Sequence, residues 1–241
     1  MDLGLEGRVA LVTAASKGLG RASALALAAE GASVAICARG PEALEATAAE
    51  LGALGPVLAV AADVTEPGAP AELVAAALER FGRLDVLVAN AGGPPPARSL
   101  EVDDETFAAG LNANLMTSVR LVRASVEPMR AGGWGRICLL TSSSIKEPIP
   151  TLALSNTART ALWAWAKTAA ADVAGEGITI NTVCPGLHAT DRITALDIAP
   201  GTPMGDPARF GQVVAFLCSE PAAFLNGTTV TVDGGAVAGL L

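Results

Sequence analysis

The chain has no tyrosine, a single histidine and only 3% aromatic residues in its 241 positions. Proton transfer from a phenol, whose pKa near ~10 a nearby cation can tune, is therefore excluded. With one imidazole and no Cys-x-x-Cys pair, a zinc site has almost no ligands to draw on, and no metal is expected. Basic residues are the minority, 16 against 24 acidic ones, for a net charge of −8. That balance excludes nucleic acid and an anionic membrane surface as partners, because both demand a basic face. No run of about 18 uninterrupted apolar residues occurs, so no membrane span is expected. The longest candidate, "ASALALAAE", ends at Glu30 and reads as a packed helix. The opening "MDLGLEGRVALV" has no basic segment before its apolar run and no cleavage pattern, so no secretory signal is expected. Cys37, Cys138, Cys184 and Cys218 lie far apart. The first two fall in strand-like runs and read as buried free thiols, and Cys184 has no basic partner that would make it a nucleophile. These features describe a cytoplasmic chain.

What is present is a globular composition, 51% hydrophobic and 17% charged, long enough for one α/β domain over 1–241. Short β-branched runs at 8–13, 33–38, 57–62, 85–90, 136–142, 178–183 and 229–232 read as strands. Alanine-rich stretches of helical period lie between them, at 18–30, 41–53, 69–81, 104–131, 152–175 and 207–219. This alternation predicts βαβ units in a Rossmann-type doubly wound sheet of about seven parallel strands, with helices on both faces. The strand runs are apolar almost throughout, as a sheet buried on both sides requires. The stretch 189–207, with three prolines and two glycines, reads as a surface loop.

"VTAASKGLGRASALALA" sets a glycine-containing turn after the first strand and opens a helix. A pyrophosphate is held at such a helix N-terminus by unpaired N–H groups and the helix dipole, and glycines let the backbone approach it. Taken alone, a Gly-x-Gly of this kind also fits a plain tight turn; its place at the first βα junction favours the binding site. NAD-specific sites put an acid at the end of the second strand for the ribose 2′-hydroxyl. Here that position is Ala38, followed by Arg39, and Lys17 stands in the glycine turn. Two cations and no carboxylate suit a 2′-phosphate, so the cofactor expected is NADP(H).

Over essentially its whole length the chain resembles the short-chain dehydrogenase/reductase family. The family's Thr-Gly-x-x-x-Gly-x-Gly motif is matched by Thr13, Gly18 and Gly20, while its first glycine is Ala14, a methyl that fits provided the local φ is negative. Asp63 and Val64 match the adenine-contacting pair, and Asn90, Ala91 and Gly92 match the Asn-Ala-Gly motif beside the cofactor. "NTVCPG" with Thr190 resembles the segment along the nicotinamide, so the resemblance implies cofactor contacts from Pro185, Gly186 and Thr190, as well as from Ser16 and Leu19 in the glycine turn.

The resemblance also implies a catalytic tetrad of Asn, Ser, Tyr and Lys. Asn falls on Asn114 and Ser on Ser142, but Tyr falls on Ser155 and Lys on Arg159. A serine hydroxyl is shorter than a phenol and a far weaker acid. A guanidinium can hold ribose hydroxyls and stabilise negative charge, but it keeps its proton at neutral pH. Lys146 and His188 are further candidates for the proton donor, against plain readings as an exposed lysine beside Glu147 and a loop histidine without a role. The family's two-helix lid is reduced here to a Pro/Gly-rich stretch within 189–206, which implies weaker closure over the substrate. The helices at 104–131 and 152–175 correspond to the family's subunit faces, with Trp163 and Trp165 on the second, though core packing competes for at least one of them because two positions apart they face differently; a homodimer or homotetramer is expected.

Two functions fit this set. One is an NADP(H)-dependent oxidoreductase interconverting a small-molecule carbonyl and alcohol, similar to 3-oxoacyl reductases, with an altered tetrad. The other is a non-catalytic NADP(H)-binding protein acting as a sensor or assembly partner. The loss of Tyr and Lys together, with the shortened lid, favours the second; the retained Asn114 and Ser142 favour the first, and the balance tips narrowly to it.

Overall fold

Apolar runs without polar alternation are stable as strands only where helices cover both sides of the sheet. The computed structural model describes residues 1–194, 199 and 201–239. In it the runs are β1 (Val9–Val12), β2 (Ser33–Ala38), β3 (Val57–Ala61), β4 (Val86–Ala89), β5 (Gly135–Leu140), β6 (Ile178–Pro185) and β7 (Thr229–Val232). Among the described residues they form one seven-stranded sheet in the order β3-β2-β1-β4-β5-β6-β7, and every pairing is parallel. The expected architecture is therefore the observed one. The chain winds outward from β1 to β3 and then returns to lay β4 against β1. Beyond the carboxyl ends of those two neighbours the order reverses, and a crevice opens there.

Helices α1 (Gly18–Ala29), α2 (Pro41–Gly52), α3 (Ala69–Phe81), α4 (Asp104–Leu111), α5 (Thr117–Ala131), α6 (Ala153–Asp172), α7 (Asp191–Thr194) and α8 (Pro207–Leu217) complete the fold. Side-chain alternation along the strands divides the core in two. Ala10, Val12, Val86, Val88, Cys138 and Leu140 pack with Leu27 of α1 and Phe210 and Val214 of α8. Val9, Leu11, Leu87, Ile137 and Leu139 pack with Leu73, Leu121 and Leu162 of α3, α5 and α6.

Two expectations need correction. The continuous helix predicted over 104–131 is interrupted by a π-helical turn at Asn112–Met116. There the Thr117 N–H reaches back five residues to the Asn112 carbonyl, which also accepts from Thr117 Oγ1 at 2.9 Å. The Asn112 side chain is committed elsewhere, donating to Thr65 O at 3.0 Å and accepting from Arg120 at 2.7 Å. The loop predicted over 189–207 is not wholly irregular, because it contains the short α7. Its Thr194 hydroxyl closes the turn on the Thr190 and Asp191 carbonyls. The shortened lid expected within 189–206 falls in part on residues 195–198 and 200, outside the described residues. Among the described residues no helix is long and apolar enough to cross a membrane.

Candidate active site

The glycine turn is fastened to its neighbours before any ligand is considered. Thr13 takes Val88 O with its N–H at 3.1 Å. Its hydroxyl donates to Asn90 O at 2.6 Å and accepts from Asn90 N at 2.9 Å. Ala15 N donates to Cys37 O at 3.0 Å, and Thr47 Oγ1 donates to Ser16 O at 3.1 Å. The carboxyl ends of β1, β2 and β4 are thereby zipped into one rim. The proviso attached to Ala14 fails here. Its φ is +48°, and it is the one non-glycine residue with positive φ among those described. The family glycine it replaces would hold that conformation without strain, whereas for an L-residue it costs about 1 kcal/mol or more. The strain sets the Ala14 carbonyl against Gly20, where it accepts from Asn90 Nδ2 at 3.3 Å.

Lys17, the N-cap of α1, makes no side-chain cap bond, so the first N–H groups of the helix point into the crevice unpaired. Gly18 has φ +55°, and a methyl added there would touch the Thr190 methyl at 3.4 Å. Thr190 thus lies over the glycine turn, near Leu19 and Gly20. A methyl added at Gly92 would meet nothing within 4 Å, so the Asn90-Ala91-Gly92 backbone is open to a close ligand. Pro185 ends β6, and Gly186 is pressed against Asp233. At the ends of β2 and β3, Arg39 is 79% exposed and sits 4.0 Å from the Asp63 carboxylate. Thr65 N–H and hydroxyl bonds, aided by Arg39, hold that carboxyl below its ordinary pKa. Val64 is buried beside it.

On the other side of the crevice, Ser142 caps a 3₁₀ turn at Ser143–Ile145, and its Oγ accepts from Ser144 N at 3.2 Å. Ser155 and Arg159 lie four residues apart on α6, so they share one face. Each is only 7% exposed. Arg159 Nε donates to Ser155 Oγ at 3.3 Å, Nη1 to Leu140 O at 2.8 Å and Thr141 O at 3.1 Å, and Nη2 to Ala91 O at 3.5 Å. The guanidinium therefore ties Ser155 to the strand end that carries Ser142, and both to the Asn-Ala-Gly turn. Its partners are neutral oxygens, and no carboxylate among the described residues bridges to it. Burial, with the charge of Arg192 as the second cause, lowers its pKa from the ordinary guanidinium value to about 10. Arg159 stays cationic at neutral pH. Because the unfolded chain holds this proton more tightly, the penalty is constant below about pH 10 and is relieved only as pH rises beyond it.

Asn114, inside the π-helical turn, is 1% exposed, and neither its Nδ2 nor its Oδ1 has a hydrogen-bond partner among the described residues. An orphaned buried amide is costly unless water or a ligand satisfies it, and π-helical turns recur at functional positions. Ser144 Oγ is orphaned too. The other proton-donor candidates sit differently. His188 is 3% exposed, donates from Nδ1 to Gly186 O at 3.1 Å, and packs edge-on against Phe210 with centroids 5.1 Å apart. Lys146 Nζ rests 4.1 Å over the Trp163 ring, in a groove of about 680 Å³ shared with Lys167 and Asn226. Trp165 packs on the core. Cys184 is buried against Thr141 Oγ1 at 3.0 Å, and burial raises its thiol pKa.

Sequence reasoning misses Arg192. Its guanidinium lies on Gly93, where an added methyl would collide with both Nη atoms. Nothing in the spacing of 189–207 marks it.

The family model described as enoyl-(acyl carrier protein) reductase matches residues 13–237. The chain is 36% identical to the 3-oxoacyl-[acyl-carrier-protein] reductase of Synechocystis sp., over 97% of this chain and 98% of that protein. It is 33% identical to dehydrogenase/reductase SDR family member 4 of Sus scrofa, over 98% and 89%. The crystal structure of L-sorbose reductase from Gluconobacter frateurii, complexed with NADPH and L-sorbose, superposes with a TM-score of 0.93 at 32% identity and covers both chains fully.

Proposed function

The chain belongs to the short-chain dehydrogenase/reductase family, and from that membership we propose that it is an NADP(H)-dependent oxidoreductase interconverting a carbonyl and an alcohol through an altered catalytic set. The residues present fit a dinucleotide. The uncapped N-terminus of α1, the left-handed Gly18 and the unobstructed Gly92 leave room and donors for one. Ser16, Lys17, Gly18, Leu19 and Gly20 would hold its pyrophosphate, with Thr13 bracing the turn. Asp63 and Val64 would contact the adenine, Arg39 the 2′-phosphate, and Asn90, Ala91, Arg159, Pro185, Gly186 and Thr190 the nicotinamide half. Bound there, NADPH supplies the hydride.

The chain's own residues do the rest. Ser142 keeps its hydroxyl hydrogen for the carbonyl oxygen, because its Oγ is already the acceptor for Ser144 N. Ser155 likewise accepts from Arg159 and retains its proton for a donor role. Arg159 stands behind both as a fixed positive charge that stabilises a developing alkoxide. Water held at Asn114 delivers the proton that completes the alcohol. The observation that carries this reading is the orphaned Asn114 amide in the π-helical turn. Helices α4, α5 and α6 offer the faces for a homodimer or homotetramer, and a cytoplasmic location accords with four buried free cysteines.

The test is NADPH consumption over a panel containing acetoacetate, an acetoacetyl thioester, ketoses and small ketones. Turnover of at least one of them is expected. Silence on the whole panel by protein that binds NADPH would hand the site to the second reading, a non-catalytic NADP(H)-binding protein. One observation favours that second reading: most donors of Arg159 are already engaged by main-chain carbonyls. Cofactor choice has its own check. Replacing Arg39→Ala weakens NADPH binding about tenfold and leaves NADH unchanged, since only the former carries a 2′-phosphate for a guanidinium. Equal losses for both cofactors, read by fluorescence titration, would reject the assignment.

A further inference from the structure

Arg159 and Arg192 reach the same turn. Arg159 touches it at the Ala91 carbonyl and Arg192 at Gly93. Two like charges brought to one turn repel, and the interaction between them is strong enough to reinforce the effect of burial on Arg159. Among the described residues neither arginine is ion-paired to a carboxylate. Asp191 lines the outer cleft beside Lys17 and Arg21, on the far flank of the glycine turn. An arrangement of this kind is satisfied by an anion between the two cations.

We propose that the crevice beside Gly93, next to the residues that would hold the nicotinamide, receives the carboxylate of an oxo-acid substrate, with Arg159 as the fixed charge behind it and Arg192 as the arm that grips it. This rests on reading the crevice as the reductase site, and it narrows the substrate to the free acid instead of its ester or thioester. The roles divide by geometry. Arg159 is buried and already donates to Ser155, Leu140, Thr141 and Ala91, so it contributes field more than contacts. Arg192 is exposed on α7 and presents a planar fork suited to a carboxylate.

The cofactor's phosphates are a second source of negative charge, but position argues against them. They belong at the N-terminus of α1, after β1. Arg159 hangs from the ends of β4 and β5, one to two strand spacings away, or ~5–10 Å. That is the side on which Ser142 and Ser155 stand.

Calorimetric titration of NADP⁺-saturated protein with acetoacetate and with methyl acetoacetate tests the proposal. With the oxidised cofactor no ketone is reduced, so binding is read independently of turnover. Acetoacetate is expected to bind about tenfold more tightly than its ester, from one added charge-assisted fork. The preference should vanish in Arg192→Gln and shrink with added salt, because Arg192 is exposed to solvent. NADP⁺ affinity of Arg192→Gln should stay unchanged, which also shows the variant folded. Equal or undetectable binding of acid and ester overturns the proposal. So does an Arg192→Gln variant that loses NADP⁺ instead, since the anion would then be a cofactor phosphate. Arg192-dependent binding of acetoacetate by a protein that reduces nothing in the NADPH panel would leave this site standing and defeat the reductase reading alone.

Discussion

Exchanging Ser155→Tyr together with Arg159→Lys raises NADPH-dependent reduction of a small ketone by about 10²-fold, the usual worth of a positioned general acid. Position 155 lies in the first turn of α6 and is tied to the end of β5 through Arg159. A phenol there reaches further from the helix than the serine hydroxyl does. Its pKa near ~10 falls within reach of an alkoxide and is lowered by an adjacent ammonium. Both changes are needed. With Arg159 retained, the Nη1 bonds to Leu140 O and Thr141 O hold the guanidinium in the space beside residue 155. Lysine, a compact charge on a flexible stem, vacates part of it. The pH profile separates the two sites. Because Arg159 holds its proton up to about pH 10, this group gives the unaltered chain no titration from neutrality to that point, and charge stabilisation declines only above it. The double variant instead gains a phenol that titrates earlier. The measurement is kcat against pH, with NADPH affinity confirmed in both proteins. A double variant slower than the unaltered chain would mean that Ser155 and Arg159 form a proton site of their own, one that tyrosine disrupts.

How far the sequence can be read follows from the range of each signal. Strand runs such as "SVAICA" and "RICLLTS" carry their burial in their own composition, so the sheet and its layers are legible. The glycine turn is legible for the same reason, since the need for glycine is local to the βα junction. Ala14 misleads because motif matching compares residue types, whereas the backbone angle of +48° is imposed by Thr13 and Asn90, and Asn90 is far away in the chain. The π-helical turn escapes notice because its cause is a side-chain commitment of Asn112 to Thr65 and Arg120, and apolar periodicity does not register such bonds. His188 reads as a loop residue until Phe210 and Gly205 close around it. Arg159 can be placed at the catalytic position, but not aimed. Its direction depends on carbonyls of β5 and of the 90–92 turn that only the folded sheet brings near. Arg192 is the extreme case, a cation in a segment without period that lands on Gly93.

The Gly20→Ala variant is expected to lose about 3 kcal/mol of stability and its NADPH binding together, combining overpacking with a broken buried hydrogen bond. A methyl on Gly20 would collide with the Ala14 carbonyl oxygen and sit 2.7 Å from Asn90 Nδ2. Neither neighbour has an easy retreat. Thr13 is held by Val88 and Asn90 on one side of Ala14, and Ala15 is held by Cys37 on the other. Ala14 already occupies the left-handed region, where an L-residue has little further freedom. The loss is a large share of the ~5–15 kcal/mol that stabilises a domain. Two companions sort the causes. Gly92→Ala meets nothing within 4 Å, so it should unfold at the same temperature as the unaltered chain, and any NADPH it loses reports the ligand's approach alone. Ala14→Gly should by itself raise stability by about 1 kcal/mol by removing left-handed strain. Combined with Gly20→Ala, it should recover more stability than the two separate effects sum to, because a glycine at 14 can swing its carbonyl away. Thermal unfolding and NADPH titration of the four variants and the unaltered chain decide it. Strict additivity would show that the Ala14 carbonyl is not what Gly20 makes room for. A Gly20→Ala protein as stable as the unaltered chain would show that the turn is looser than its hydrogen bonds imply.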